Sequence, residues 1–379
     1  MRARSALAGT AAALLSLALA APAMAATTGG DHRHDATRAA VRAQVAAGVP
    51  GVTVTAQDGR HTWKDTAGVG DLRTGAPRST ADRYRVGSIT KTFVATVLLQ
   101  LEAEGRLSLD DSVEKWLPGV LDTNGYDGSK ITVRMLLNHT SGVFNYTADD
   151  TVIRTYFTKD GFYAHRFDRM TPGQLLAIAL AHRPNFAPGT SWNYSNTNYL
   201  LAAQIVEKVT GRPYGEEIRR RVIAPLHLTG TSVPGTRPAL PQPSSRAYGK
   251  LARETTGPTY DVTELNPSLA YGSGEMVSDS ADLNRFYRAL LGGALLPPQQ
   301  LKEMKTTVKA GDIPDAGYGL GLIDRKLSCG VHVWGHDGGI HGSSSVAVTT
   351  ADGRHSLALN LNGDWTGDTD AVVEAEFCG

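Results

Sequence analysis

The strand-like residues of this chain lie at its two ends, and the helix-like residues lie between them. Alternating, β-branched texture runs through GVTVTAQ at 51–57 and HTWKDTAGVG at 61–70, joined by the turn Asp58-Gly59. It returns only from Tyr318, in YGLGLIDRK, GVHVWGH, SSSVAVTT and HSLALNLN. From Ser88 to about Leu291 the periodicity is helical, with helices expected over 89–104, 132–138, 172–182, 196–210, 214–223 and 280–291. A short helix over 35–48 precedes the first strands, and DTDAVVEAEF reads as a last helix. Strands need edge partners, so the two ends must meet. The expectation is an α/β fold: an antiparallel sheet flanked by N- and C-terminal helices (35–87 plus 316–379), with an inserted all-helical region (88–315). A cleft between two such regions is where a substrate would bind.

The 379 residues carry a formal net charge of +1. That balance gives no electrostatic footprint for nucleic acid or an anionic membrane. Residues 1–25, MRARSALAGTAAALLSLALAAPAMA, read as a secretory leader. Arg2 and Arg4 form its charged start, Ala6–Ala20 its apolar middle and Ala23-Met-Ala25 its cleavage site. No segment is long enough for a membrane anchor. The mature chain, 26–379, is therefore expected to be secreted. Export makes Cys329 and Cys378 an expected disulfide, stabilising the fold by about 4 kcal/mol in the chain-entropy model. No metal or cofactor is expected. His332 and His336 fall on one strand, and a rise of about 3.3 Å per residue sets their α-carbons ~13 Å apart, too far to share an ion. His32 and His34 read as a solvated polar head.

Three short runs carry chemical potential: Ser88-Ile-Thr-Lys91, Tyr194-Ser-Asn196 and His336-Asp-Gly338-Gly339. Each alone has an ordinary reading, as a helix cap, a loop aromatic or a strand end. The spacing S-x-x-K even occurs twice, since Ser112-Val-Glu-Lys115 repeats it beside Asp110-Asp111 in what reads as a surface helix. In their order along the chain, however, S-x-x-K, Y-x-N and H-x-G resemble the serine penicillin-recognising enzymes, which include DD-carboxypeptidases, class C β-lactamases, D-aminopeptidases and esterases. The stretches ITVRMLLNHTSGV, NFAPGTSWNYSNTNYLLAAQIVEKVTG and YGLGL extend the likeness over about 35–379, and LSCG with the final FCG is similar to secreted actinomycete D-alanyl-D-alanine carboxypeptidases. The β-lactamase signatures S-D-N and K-T-G are replaced by Y-S-N and H-D-G.

An alcohol is a weak nucleophile at neutral pH and needs a base beside it. Residues three apart share a helix face, so Lys91 is held beside Ser88. Burial, neighbouring positive charge and a helix N-terminus would each lower the lysine pKa far enough for it to serve. The resemblance implies that Tyr194 shuttles a proton to the leaving group, that Asn196 orients the substrate amide and that His336 replaces the strand lysine. It also implies that the N–H groups of Ser88 and Gly339 receive the oxyanion, and that a peptide adds to the edge of the strand ending at His336. The position after His336 commonly holds a hydroxyl that receives the substrate carboxylate. Here it is Asp337, which would repel a carboxylate and favour an amine unless a nearby Arg325 or Lys326 pairs with it. The main expectation is a D-alanyl-D-alanine carboxypeptidase-like peptidase forming an acyl-enzyme on Ser88, with β-lactams as inhibitors. A D-aminopeptidase or esterase of the same fold is the alternative. A β-lactamase of the same fold is a lesser expectation, and an inactive penicillin-binding module is disfavoured because Ser88, Lys91, Tyr194 and His336 are all present.

Overall fold

In the computed structural model, which describes residues 32–252, 256–311 and 316–379, strands from both ends of the chain meet in one sheet. The expected leader, 1–25, lies outside the described residues. The eight strands are β1 (Gly51–Asp58), β2 (His61–Gly68), β3 (Val308–Lys309), β4 (Ala316–Tyr318), β5 (Ile323–Lys326), β6 (His332–Ile340), β7 (Ser343–Thr350) and β8 (His355–Leu361). They run in the order β2-β1-β8-β7-β6-β5-β4-β3, every neighbouring pair antiparallel. The N-terminal hairpin therefore joins the sheet through β8, as the pairing Val54↔Leu359 shows.

The sheet is covered on both faces because its strands alternate between two cores. Val346, Val348, Leu357 and Leu359 pack with Val41, Val372 and Val373 of the terminal helices Asp35–Ala46 and Thr369–Cys378. Ala347 and Ala358 point the other way, into the larger core that contains Phe286, Tyr287 and Leu290. Small residues on that face let the helix Ser280–Leu291 lie close on the sheet. The helix Thr90–Ala103 sits deepest. Eleven of its residues are buried, as suits a helix apolar almost all round. Cys329 and Cys378 are joined, tying the turn after β5 to the end of the last helix.

Several details depart from expectation. The helices Val113–Trp116, Asp150–Tyr156, Lys159–His165 and Pro298–Met304 are too short to show a clear apolar period. YGLGLIDRK is two strands, because Gly319–Gly321 makes a tight turn. A β-carbon at Gly319 would lie 2.2 Å from the Met304 carbonyl, and Gly321 has φ +66°. His34 is not solvated. It is buried, stacks on Trp63 and hydrogen-bonds Glu376. Finally, β6 does not end at His336 but continues to Ile340. It pairs with β5 only over His332–Gly335. Among the described residues, the β5-side edge of His336–Ile340 has no strand partner.

Candidate active site

Ser88 lies in the single 3-10 turn Gly87–Ile89, directly ahead of the helix Thr90–Ala103. That turn is pressed against β6 with no side chain between them. Gly87 has φ +53°, and a β-carbon there would come 2.8 Å from the Gly339 nitrogen. A β-carbon at Gly338 would lie 1.9 Å from the Val86 carbonyl and 3.1 Å from the Ser88 nitrogen. Glycine is needed on both sides because two backbones approach this closely. The result sets the Ser88 and Gly339 main chains next to each other. Over Gly339 the space is open, since an added β-carbon would meet nothing within 4 Å. Gly339 also lines a cavity of about 900 Å³ with Ile340, His341, Phe157, Asp364 and Trp365.

Lys91, one turn beyond Ser88, is 0% exposed. Its Nζ contacts Ser88 Oγ at 2.9 Å, Asn196 Oδ1 at 2.7 Å and the Ser273 carbonyl at 2.8 Å. Burial holds its pKa well below the ordinary lysine value, while the Asp337 charge pulls weakly the other way. The partner set fits a neutral amine. Two partners can only accept, and they take its two N–H groups. The lone pair is then left for the Ser88 hydroxyl proton. The expected neighbouring cation does not contribute; burial is the cause.

Tyr194 closes the group. Its ring centroid is 4.7 Å from Lys91 Nζ, and its hydroxyl lies on the Ser88 side of the group, close enough for Ser88 to temper its pKa. Burial raises its pKa well above 10, so it is a protonated phenol that can donate. Asn196 opens the helix Asn196–Thr210. Its side-chain oxygen accepts from Lys91, and one N–H donates to Thr147 Oγ1 at 3.1 Å. One amide hydrogen remains for a substrate. His336 is buried, with Nε2 2.9 Å from Tyr318 Oη and Nδ1 2.5 Å from the Asp337 carbonyl. Burial lowers its pKa to about 4, so it is uncharged at neutral pH. Asp337 is 56% exposed, and its carboxylate lies 3.6 Å from His336 Nδ1. Arg325 does not pair with it; that guanidinium is taken by Asp370.

The structure thus brings Ser88, Lys91, Tyr194, Asn196, His336, Asp337 and Gly339 to one place from three separate stretches of chain. The arrangement can move a proton from a hydroxyl to an amine and donate one from a phenol. Sequence reasoning assigned no role to His139, Ser273 or Tyr318. Ser273 acts through its carbonyl, which leaves no mark on residue type. His139 and Tyr318 lie within stretches, LNHTSG and YGLGL, that were noticed only for their likeness to other proteins.

The family model described as Beta-lactamase matches residues 37–375. A D-stereospecific amidohydrolase from Streptomyces sp. is 60% identical, with a TM-score of 0.87 over 91% of this chain and 99% of that one. The D-amino acid amidase of Ochrobactrum anthropi SV3 is 27% identical, with a TM-score of 0.78 over 90% and 97% of the two chains. Penicillin-binding protein 4* of Bacillus subtilis is 27% identical over 82% of this chain and 68% of its own length. With the family model covering nearly all of the described fold and these likenesses agreeing with it, the chain belongs to the beta-lactamase/transpeptidase-like family of serine hydrolases.

Proposed function

We propose that this protein is an exported amidohydrolase of D-amino-acid amides and peptides, acting through an acyl-enzyme on Ser88. In this reading Ser88 Oγ attacks the amide carbonyl as Lys91 Nζ takes its proton. The oxyanion is received by the N–H groups of Ser88 and Gly339. The C–N bond breaks as Tyr194 donates its proton to the leaving amine, and Lys91 can restore that proton. Water then attacks the ester carbonyl as Lys91, neutral again, takes its proton; the bond to Ser88 Oγ breaks, the acid is released and Lys91 returns the proton to Ser88. His336, uncharged, lines the site, and Asn196 spends its spare N–H on the substrate.

The observation that carries the substrate class is Asp337. Its carboxylate stands half-exposed beside the site with Arg325 engaged elsewhere. A terminal carboxylate on a substrate would meet like charge there, costing on the order of 4 kcal/mol at 4 Å and an effective dielectric of 20, less with solvent screening. An amine-bearing or uncharged end meets no such cost. The likeness to a D-stereospecific amidohydrolase supports the same choice. The unpaired edge of β6 suits an extended peptide, which keeps D-alanyl-D-alanine carboxypeptidase action as the second reading. A panel of D-amino-acid amides, their L-isomers, short acyl esters and D-Ala-D-Ala peptides tests the choice. The D-amides should show the highest kcat/KM, and Asp337→Thr should shift the ratio toward the free-carboxylate peptide. If wild type cleaves that peptide best and Asp337→Thr leaves the ratio alone, the carboxypeptidase reading replaces this one.

A further inference from the structure

His139 touches one of the two motifs that face Ser88 and reaches the other through Tyr318. It follows the helix Val133–Leu137 in the left-handed region, φ +64°, and its ring is fully buried. Its Nδ1 is 3.2 Å from the Ser195 backbone nitrogen and 3.0 Å from Asn198 Nδ2. Both of those groups donate, so Nδ1 carries no proton and Nε2 does. Nε2–H then donates to Tyr318 Oη at 3.2 Å. The one Tyr318 proton goes on to His336 Nε2 at 2.9 Å. His336 Nδ1–H donates to the Asp337 carbonyl at 2.5 Å. The direction of this chain is pinned at both ends by backbone: Ser195 N–H can only donate, and the Asp337 carbonyl can only accept.

We propose that His139 and Tyr318 are positioning residues for the reaction at Ser88. By accepting from Ser195, His139 fixes the segment whose flanking residues are Tyr194 and Asn196. Through Tyr318 it supplies the donor to His336 Nε2, matching the Nδ1–H tautomer that the Asp337 carbonyl demands, and so ties down the ring on the strand that carries Gly339. One buried hydrogen-bond chain therefore sets the relative placement of the phenol donor and the oxyanion strand. Burial keeps both imidazoles uncharged, with the His139 pKa well below its ordinary value, so the chain keeps its direction through neutral pH.

The inference rests on the Ser88 reading for its effect on rate, but not for its effect on the imidazole. The test is therefore double. Nitrogen-15 NMR of the substrate-free protein reads the His336 tautomer, and steady-state kinetics on the best D-amino-acid amide reads kcat and KM separately. Tyr318→Phe removes one hydroxyl and keeps the ring. Wild type should show His336 with Nδ1 protonated at neutral pH, and Tyr318→Phe should keep that tautomer, which the Asp337 carbonyl demands, while the Nε2 resonance moves downfield because its donor is gone. The same variant should lose about tenfold in kcat with KM little changed, as expected for misplaced rather than missing groups. His139→Ala should lose at least as much, and adding Tyr318→Phe to it should cost little more, because both act through one chain. An Nε2-protonated His336 in wild type, an unmoved Nε2 resonance and kcat in Tyr318→Phe, or fully additive losses in the double variant would each overturn the proposal. Failure to acylate Ser88 with the tautomer results intact would instead count against the functional reading.

Discussion

Ser88-Ile-Thr-Lys91 and Ser112-Val-Glu-Lys115 share one spacing and differ in everything that surrounds it. Lys91 is fully buried among a hydroxyl, an amide oxygen and a carbonyl. Lys115 has a side chain 55% exposed, 2.7 Å from the Asp111 carboxylate. Ser112 Oγ accepts from the Lys115 backbone N–H and so caps the single turn Val113–Trp116. Ser88 makes no such bond and keeps its hydroxyl for Lys91. A carboxylate partner in solvent stabilises an ammonium; neutral acceptors in a buried site do not make up for lost hydration. The same two residue types three apart are thus a helix cap in one place and, in the function proposed above, a nucleophile with its base in the other.

The comparison breaks most visibly at the serines. Ser88→Ala should lower kcat/KM on the order of 10⁴-fold or more, as expected for loss of a nucleophile. Ser112→Ala should leave it within about twofold of wild type, since Ser112 makes only a surface cap. Benzylpenicillin labelling followed by intact-mass spectrometry reads the same contrast: the adduct should vanish in Ser88→Ala and persist in Ser112→Ala. A surviving adduct in Ser88→Ala would remove the assignment. At the lysines, Lys91→Ala should cut acylation by at least about a hundredfold, the lower range for a placed general base. Lys115→Ala should leave acylation unchanged, and equal losses would mean that burial does not distinguish the two.

Much of this was legible in the residues themselves. Long helices such as 196–210 and 280–291 and the strands β1, β7 and β8 follow directly from period and β-branching. The order of the three motifs located the residues that converge on Ser88. What could not be read depends on backbone and distance. The Ser273 carbonyl under Lys91, the left-handed turn at His139 and the close passage of Gly87 along Gly339 are properties of the folded main chain. The continuation of β6 past His336 was hidden by Asp-Gly-Gly, a run that ordinarily signals a turn. The engagement of Arg325 by Asp370 joins residues 45 apart, beyond any local pattern.

The pH dependence sharpens the contrast further. A lysine base works deprotonated, so the rising limb of kcat/KM lies at the pKa of Lys91. Burial has moved that value well below 10.5, and the limb should move with it, reaching a plateau before pH 10. Asp337 raises the Lys91 pKa, so Asp337→Asn should shift the limb to lower pH. Lys115→Ala should not move it. A rate that keeps climbing through pH 10 would mean that Lys91 behaves as an ordinary ammonium despite its burial.

The smallest effect should run in the opposite sense, on stability rather than rate. Ser112 satisfies one of the unpaired N–H groups at a helix start, a bond usually contributing about 1 kcal/mol. Ser112→Ala should therefore lower the unfolding free energy by about that amount, a loss of about 1–2 °C in Tm for a chain of this size. Lys115→Ala should cost no more than a few tenths of a kcal/mol, because its ion pair is solvated and Asp111 keeps the Trp116 Nε1–H as a partner. Ser88→Ala removes no cap and leaves Lys91 with its two acceptors, so its cost should fall below that of Ser112→Ala. Thermal unfolding of the three variants beside wild type checks the ranking. If Ser88→Ala proves the most destabilising, the Ser88 hydroxyl holds the turn Gly87–Ile89 together as well as facing the base, and the division into a structural and a chemical S-x-x-K is too clean.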